Sequence, residues 1–269
     1  MARRMEELSK RQKIERLGTE NHNNQGCLMK IIEYNSSTDI VIEFQDEYKT
    51  RVKSAWKEFS NGGIKNPYYP EVYGVGMVGN KYPTTLNNKQ TKDYEAWCNM
   101  LQRCFDIKIK NKKRYLTYQD VTCCDEWLLF NNFYEWLHSQ NNYDKWLNGD
   151  KWAIDKDILI KENKIYSPDT CCLVPQNVNG LFLKHNAARG NLPIGVSKHG
   201  NGYQARCRNP IINKEVYIGM CSTPFNTFLL YKKYKEDLIK KVAETEFNNG
   251  NITEQCYNAM MNYQVEITD

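Results

Sequence analysis

The sequence predicts an α+β protein assembled from several small pieces. Three observations carry this. Short β-branched and aromatic runs, broken by polar turns, fill 27–54 and again 192–220. Stretches of helix period occupy 93–105, about 125–137 and the segment after Thr223. Between the first strands and the first such helix lies a Gly/Pro-rich, loop-like connector, NGGIKNPYYPEVYGVGMVGNKYP at 61–83. A chain of 269 residues has room for one large domain or two to three small ones. The expected divisions are a charged helix at 1–20, a small β-meander or barrel with its connector at 21–84, a central strand–strand–helix region with flanking helices at 85–190, a three-stranded sheet packed on one helix at 191–246, and a tail at 247–269.

The opening MARRMEELSKRQKIERL is charged throughout and has no apolar signal core. No apolar run approaches the about 20 residues of a membrane span. The expected location is therefore the cytoplasm, with no membrane partner. NHNNQG (21–26) is polar and turn-forming. CLMKIIEY (27–34), IVIEFQ (40–45) and YKTRVKS (48–54) then read as a meander, either a nucleic-acid binder or a brace for its neighbour.

In the next stretch Tyr94, Trp97, Cys98, Leu101 and Cys104-Phe105 recur at helical spacing, followed by a lysine-rich loop and a short strand near 118–122. A helix from Asp125 to Leu137 carries Trp127 and Trp136, which suit core packing better than base stacking. Segment 152–184 reads as strand, turn, strand, helix, with apolar pieces at 153–160 and 170–174. Pro175 sits at the first turn of a helix beginning near Gln176. Further on, 192–199, 202–209 and 214–220 form three strands. Thr223 N-caps a helix with Pro224 just inside it. The expected apolar stripe of that helix is Phe225, Phe228, Leu229, Leu238, Ile239 and Val242.

Ten cysteines include no C-x-x-C pair. The adjacent pairs Cys123-Cys124 and Cys171-Cys172 would point opposite ways on a strand, so buried thiols are favoured over a zinc site. The net charge of +5 is concentrated: 184–244 holds eleven Lys/Arg against four Asp/Glu. A basic module on a near-neutral body points to a polyanion.

The carboxy-terminal module resembles a known family. Gly195-Val196, Tyr203-Gln204-Ala205, Tyr217-Ile218-Gly219, and Thr223 before an aromatic-rich helix are similar to the Apetala/ERF DNA-binding domain, whose sheet lies in the major groove. Strand alternation points the same way: Ala205 and Cys207 suit the helix side, leaving Gln204, Arg206 and Arg208 on the other. Arg can read guanine and Gln adenine. Lys198, His199 and Lys214 are expected to hold phosphates, and Tyr203 joins the set through the motif.

Residues 93–184 resemble phage HNH homing-type endonucleases. The resemblance rests on Trp97-Cys98-Asn99-Met100-Leu101-Gln102-Arg103-Cys104, on 121–127, on Ile154-Asp155-Lys156-Asp157 and on Tyr166-Ser167-Pro168. It implies a phage or mobile-element origin and one divalent metal, Mg²⁺ or Mn²⁺, held by Asp155 and Asn179. Two positions depart from the pattern. Lys156 stands where the general-base histidine belongs, and Thr170 where an Asn orients the loop. Asp157 or His185 is then the substitute base. Three readings stay open: a sequence-specific, metal-dependent double-stranded DNA endonuclease; a non-catalytic DNA-binding regulator with a degenerate site; and a factor that binds a host protein.

Overall fold

The computed structural model describes residues 11–110, 119–149, 151–183 and 190–269. It is a mixed α+β chain with several small sheets. It divides into two compact units. One runs through Phe105 and takes in Leu128–Phe133; the other holds Asp106–Trp127 and Tyr134–Asp269.

The first unit is built on an antiparallel meander of Leu28–Ser36, Asp39–Phe44 and Arg51–Ser54. Met29 and Ile31 alternate into the core. A register shift between Ile31 and Glu33 then changes the parity, so that Tyr34 also points inward. Glu20–His22 adds a fourth strand where the polar sequence predicts only a turn. Its ladder uses the backbone alone, which polar side chains do not reveal. The strand order is sequential and the described residues contain no pairing of first with last, so the sheet is a meander and not a barrel.

Segment 61–83 is held more firmly than a connector. Ile64 enters the core. The Asn66 amide donates to Asp46 Oδ2 (2.6 Å), and Tyr68 stacks on Tyr48 at 4.0 Å. Gly79 adopts φ +75°, and a Cβ there would meet the Asn131 side chain at 2.6 Å. A small hairpin follows, Thr85–Leu86 with Lys89–Gln90, turned by Asn87 and Asn88 at φ 50° and 61°. Two consecutive left-handed residues match the twist of such a two-residue loop. Helix Lys92–Phe105 buries Trp97, Met100, Leu101 and Cys104.

In the second unit Thr122–Cys123 runs parallel to Ile165–Tyr166. The helix expected over 125–137, whose residues 128–133 belong to the first unit, is broken into a 3₁₀ turn, Asp125–Leu128, and the helix Phe130–His138. The break falls where the Met77 carbonyl takes the Phe130 N–H. Trp127 is buried, 4.6 Å from Trp136, in a packing role.

Strand Trp152–Asp155 pairs antiparallel with Cys172–Pro175. The first is shorter than its apolar run because the chain turns at Asp155. The helix after Pro175 is a single turn, Gln176–Asn179, continued by a 3₁₀ turn through Phe182.

Three strands, Val196–His199, Gly202–Asn209 and Lys214–Cys221, form an antiparallel sheet. The Thr223 hydroxyl accepts from the Asn226 N–H at 3.3 Å, and helix Pro224–Asn248 starts there. Its buried face contains Phe228, Tyr231, Lys235, Leu238, Ile239 and Val242. Phe225 and Leu229, expected on that stripe, are 57% and 46% exposed. Leu229 follows Phe228 by about 100° around the helix and so leaves the packed face. Gly195, at φ +72°, lies under Tyr231, whose ring a Cβ would meet at 2.0 Å.

Residues 247–269 are not a detached tail. Ile252, Cys256, Met260 and Val265 share one core with Cys172, Val178, Val196 and the long helix. Lys232 Nζ donates to the Val265 carbonyl (2.6 Å), and the Val265 N–H to Glu236 Oε1 (2.8 Å). At the acidic end, Asp269 is buried and accepts from Lys161 Nζ at 2.9 Å.

Candidate nucleic-acid interface

Directly opposed residues in an antiparallel ladder share a face, so the register sorts the sheet's side chains. Val196 faces Ala205, and Cys207 faces Val216; these line the helix side. Gln204 opposes Ser197 and Met220, Arg206 opposes Tyr217, and Arg208 opposes Glu215. Gln204, Arg206 and Arg208 thus lie on the face away from the helix, with His199 on the same parity. Arg206, Arg208 and His199 are exposed.

The same register moves three expected DNA contacts to the other parity. Tyr203 packs against the core, and its carbonyl accepts from Thr227 Oγ1 at 3.3 Å. Lys198 opposes Tyr203, and Lys214 opposes Asn209. Both lysines are exposed at strand ends but do not belong to the Gln204–Arg208 row. In their place the ladder supplies Tyr217, Met220 and Glu215, all exposed.

The row is cross-linked. Arg206 donates from Nε to Gln204 Oε1 (3.3 Å) and pairs through Nη1 with Glu215 at 3.2 Å. Arg208 Nη2 donates to Asn213 Oδ1 at 2.5 Å. Exposed pairs of this sort are worth about 0–1 kcal/mol. Their effect is to fix the direction of two guanidinium forks, which suits bidentate contact with a base edge or phosphate. Glu215 is the one carboxylate in the row, and a carboxylate can accept from the cytosine amino group.

The central segment handles its charges differently. Asp155 Oδ1 accepts the N–H groups of Asp157 and Ile158 (2.7 and 2.8 Å), so this carboxylate caps the turn that ends its strand. Burial pushes its pKa up, partly offset by those two bonds. The Lys156 ammonium is buried. It donates to Asp157 Oδ1 (2.6 Å) and to the Asn163 carbonyl (2.7 Å). One oxygen of the carboxylate and the ammonium are therefore engaged inside one loop, and Asp157 is the partner of Lys156.

Asn163 does the orienting expected of the residue at Thr170. Its amide donates to the carbonyls of Lys156 (2.9 Å) and Ile165 (2.6 Å), and its oxygen accepts the Ile165 N–H at 3.2 Å. Thr170 helps from the far side, donating to the Ile165 carbonyl at 2.7 Å. The sequence marks Asn163 only as a turn residue. The signal that could have found it is its position seven residues after Lys156, at the far mouth of the same loop.

A divalent cation requires several oxygen donors. Asp155 has one oxygen committed to backbone and the Lys156 ammonium next in sequence, and Asn179 offers only a neutral amide. Among the described residues no group of three or more His, Cys, Asp or Glu could hold a metal ion. His185 lies outside the described residues. All ten cysteines are free thiols, six of them buried. Burial raises the Cys171 pKa to about 12, which keeps that thiol protonated and inert at neutral pH. No helix among the described residues is long and apolar enough to cross a membrane.

Comparison with protein-family models, with curated proteins and with solved structures found no match.

Proposed function

We propose that this protein binds double-stranded DNA in a sequence-dependent way, through the face of the three-stranded sheet that turns away from helix Pro224–Asn248. The supporting observation is the row Gln204, Arg206, Arg208. It stands on one exposed side, its forks aimed by Glu215 and Asn213. In this reading Arg206 and Arg208 contact guanine edges or phosphates, Gln204 an adenine edge, and His199 a flanking phosphate. The regulator reading is preferred over the nuclease reading because Asp155 and Lys156 are tied into their own loop. The place of action is the cytoplasm, that of a host if the gene belongs to a phage or mobile element.

The test is selection of bound duplexes from a random pool, followed by titration of the winner at several salt concentrations. A recovered consensus, weakened by Arg206→Ala and Arg208→Ala, supports the reading; retention without any consensus in the wild type overturns it. The nuclease reading keeps one favourable feature, the strand–strand–helix order that sets Asp155 at the end of the first strand and Asn179 on the helical turn after its antiparallel partner. Nicking of supercoiled plasmid in Mg²⁺ or Mn²⁺, abolished by Asp155→Ala, would restore it.

A further inference from the structure

Strand Val196–His199 stops beside Ala205, while its neighbour runs on to Asn209. Beside that uncovered stretch lies a cavity of about 790 Å³, within the range of small-molecule sites. Among the described residues four cations line it, Lys151, Arg206, Arg208 and Lys235, against one carboxylate, Glu215. An apolar wall of Leu181, Leu183, Ile194 and Tyr231 stands with them.

Lys235 is the unusual member. It is 8% exposed, in the middle of the buried face of the long helix. Among the described residues its ammonium has neither a hydrogen-bond acceptor nor an ion-pair partner, although it lines the cavity. Long lysines are seldom buried to this extent without a partner, and Nζ is not among the fully buried unpartnered atoms, so the ammonium opens onto the cavity. Burial accordingly holds this ammonium below its ordinary pKa. Arg206 and Arg208 already have neighbours that orient them; Lys235 has none.

We propose that the cavity is a binding site for a small organic phosphate of nucleotide size, its phosphate on Lys235 and its flat, less polar body against the wall formed by Leu181, Ile194 and Tyr231. The excess of three positive charges favours a dianion over a monocarboxylate, and the cavity is far larger than inorganic phosphate needs. This goes beyond DNA reading and does not depend on it, although Arg206 and Arg208 are common to both places. The same chemistry has two sources: a free nucleotide, or a nucleotide of a bound nucleic acid turned out of its stack.

The experiment is calorimetric titration of the full chain with AMP, inorganic phosphate and propionate, with and without saturating duplex. AMP should bind at one site, phosphate more weakly, and propionate not at all. Lys235→Met should weaken AMP by about tenfold or more, the size of one lost charge-assisted bond, while raising the melting temperature of the ligand-free protein. Should that variant not fold, Lys151→Ala, exposed at the rim, provides the same comparison with a smaller loss. Stronger displacement of AMP by a duplex with one extrahelical nucleotide than by the fully paired duplex identifies the nucleic acid as the source; equal displacement by both, or simultaneous binding, identifies a free nucleotide. No saturable AMP binding at millimolar concentration, or equal affinity in wild type and Lys235→Met, overturns the proposal. Neither result touches the duplex selection, so the two proposals fail separately.

Discussion

The three-stranded sheet and the loop of residues 155–165 each carry a short run of charged side chains, and they dispose of them in opposite ways. On the sheet the backbone is satisfied by its ladders, so Arg206 and Arg208 have only other side chains to bind and remain on the surface. In the loop the backbone has no ladder. Asp155, Lys156 and Asn163 are drawn in to satisfy its N–H and C=O groups. The same residue types thus stay on the surface in one place and act as structural ties in the other. What separates them is where the backbone hydrogen bonds go.

The largest expected effect tests the sheet. Replacing Arg206 and Arg208 together by Ala should lower affinity for the selected duplex by about a hundredfold or more, since a base-reading Arg is worth about 1–3 kcal/mol. Circular dichroism and melting temperature should stay near wild type, because both side chains are exposed. The mirror experiment in the loop is Asn163→Ala. It removes three bonds to backbone groups and should cost about 1–3 kcal/mol of stability, read by urea titration, with duplex affinity unchanged once folded. Loss of DNA binding in folded Asn163→Ala would erase the contrast between the two regions.

Much of the fold could be read in the sequence where side chains themselves pay out the structure. The meander, the helix Lys92–Phe105, the three carboxy-terminal strands and the Thr223 cap follow from periodicity and caps. What stayed hidden depends on backbone pairing or on distant packing. Strand Glu20–His22 is polar, the hairpin at Asn87-Asn88 has strands of two residues, and the burial of Lys235 in place of Leu229 is settled by the sheet beneath the helix. The site was legible to the same extent. Alternation found Gln204, Arg206 and Arg208 and already sets Tyr203 on the other side, but only the ladder register could add Tyr217 and Met220 or place Lys198 and Lys214 on the parity of Tyr203.

Asp155 gives a finer test of the loop, through pH. Asp155→Ala forfeits two backbone bonds and should cost about 1–2 kcal/mol, whereas Asp155→Asn keeps an acceptor oxygen in the same place. Burial raises the folded-state pKa of this carboxyl. Below the ordinary carboxylate value both folded and unfolded chains are protonated there. As pH rises through that value and on through the raised one, the unfolded chain ionises first, and the wild type loses stability. Asp155→Asn should therefore gain on the wild type across that window, measured as the difference between their urea midpoints from pH 3 to 7. A difference that moves the other way would mean that the charged carboxylate is favoured in the fold, as a metal ligand would be.

The smallest effect is the most demanding of the sheet's geometry. Lys198 and Lys214 stand at strand ends on the parity opposite to Gln204. If the row faces the bases as proposed, neither can enter the groove beside Arg206, which would limit them to phosphates at the edge of the contact. Each alanine variant should weaken all duplexes alike, by a few fold, and reduce the slope of log affinity against log salt by about 1, leaving the selected consensus unchanged. Glu215→Gln is the matched control inside the row: it removes a carboxylate that repels phosphate, so overall affinity should rise while discrimination at one base pair falls. If Lys214→Ala altered the consensus and Glu215→Gln did not, the reading face would be the other side of the sheet, and helix Pro224–Asn248, which covers that side, would have to move for the protein to bind.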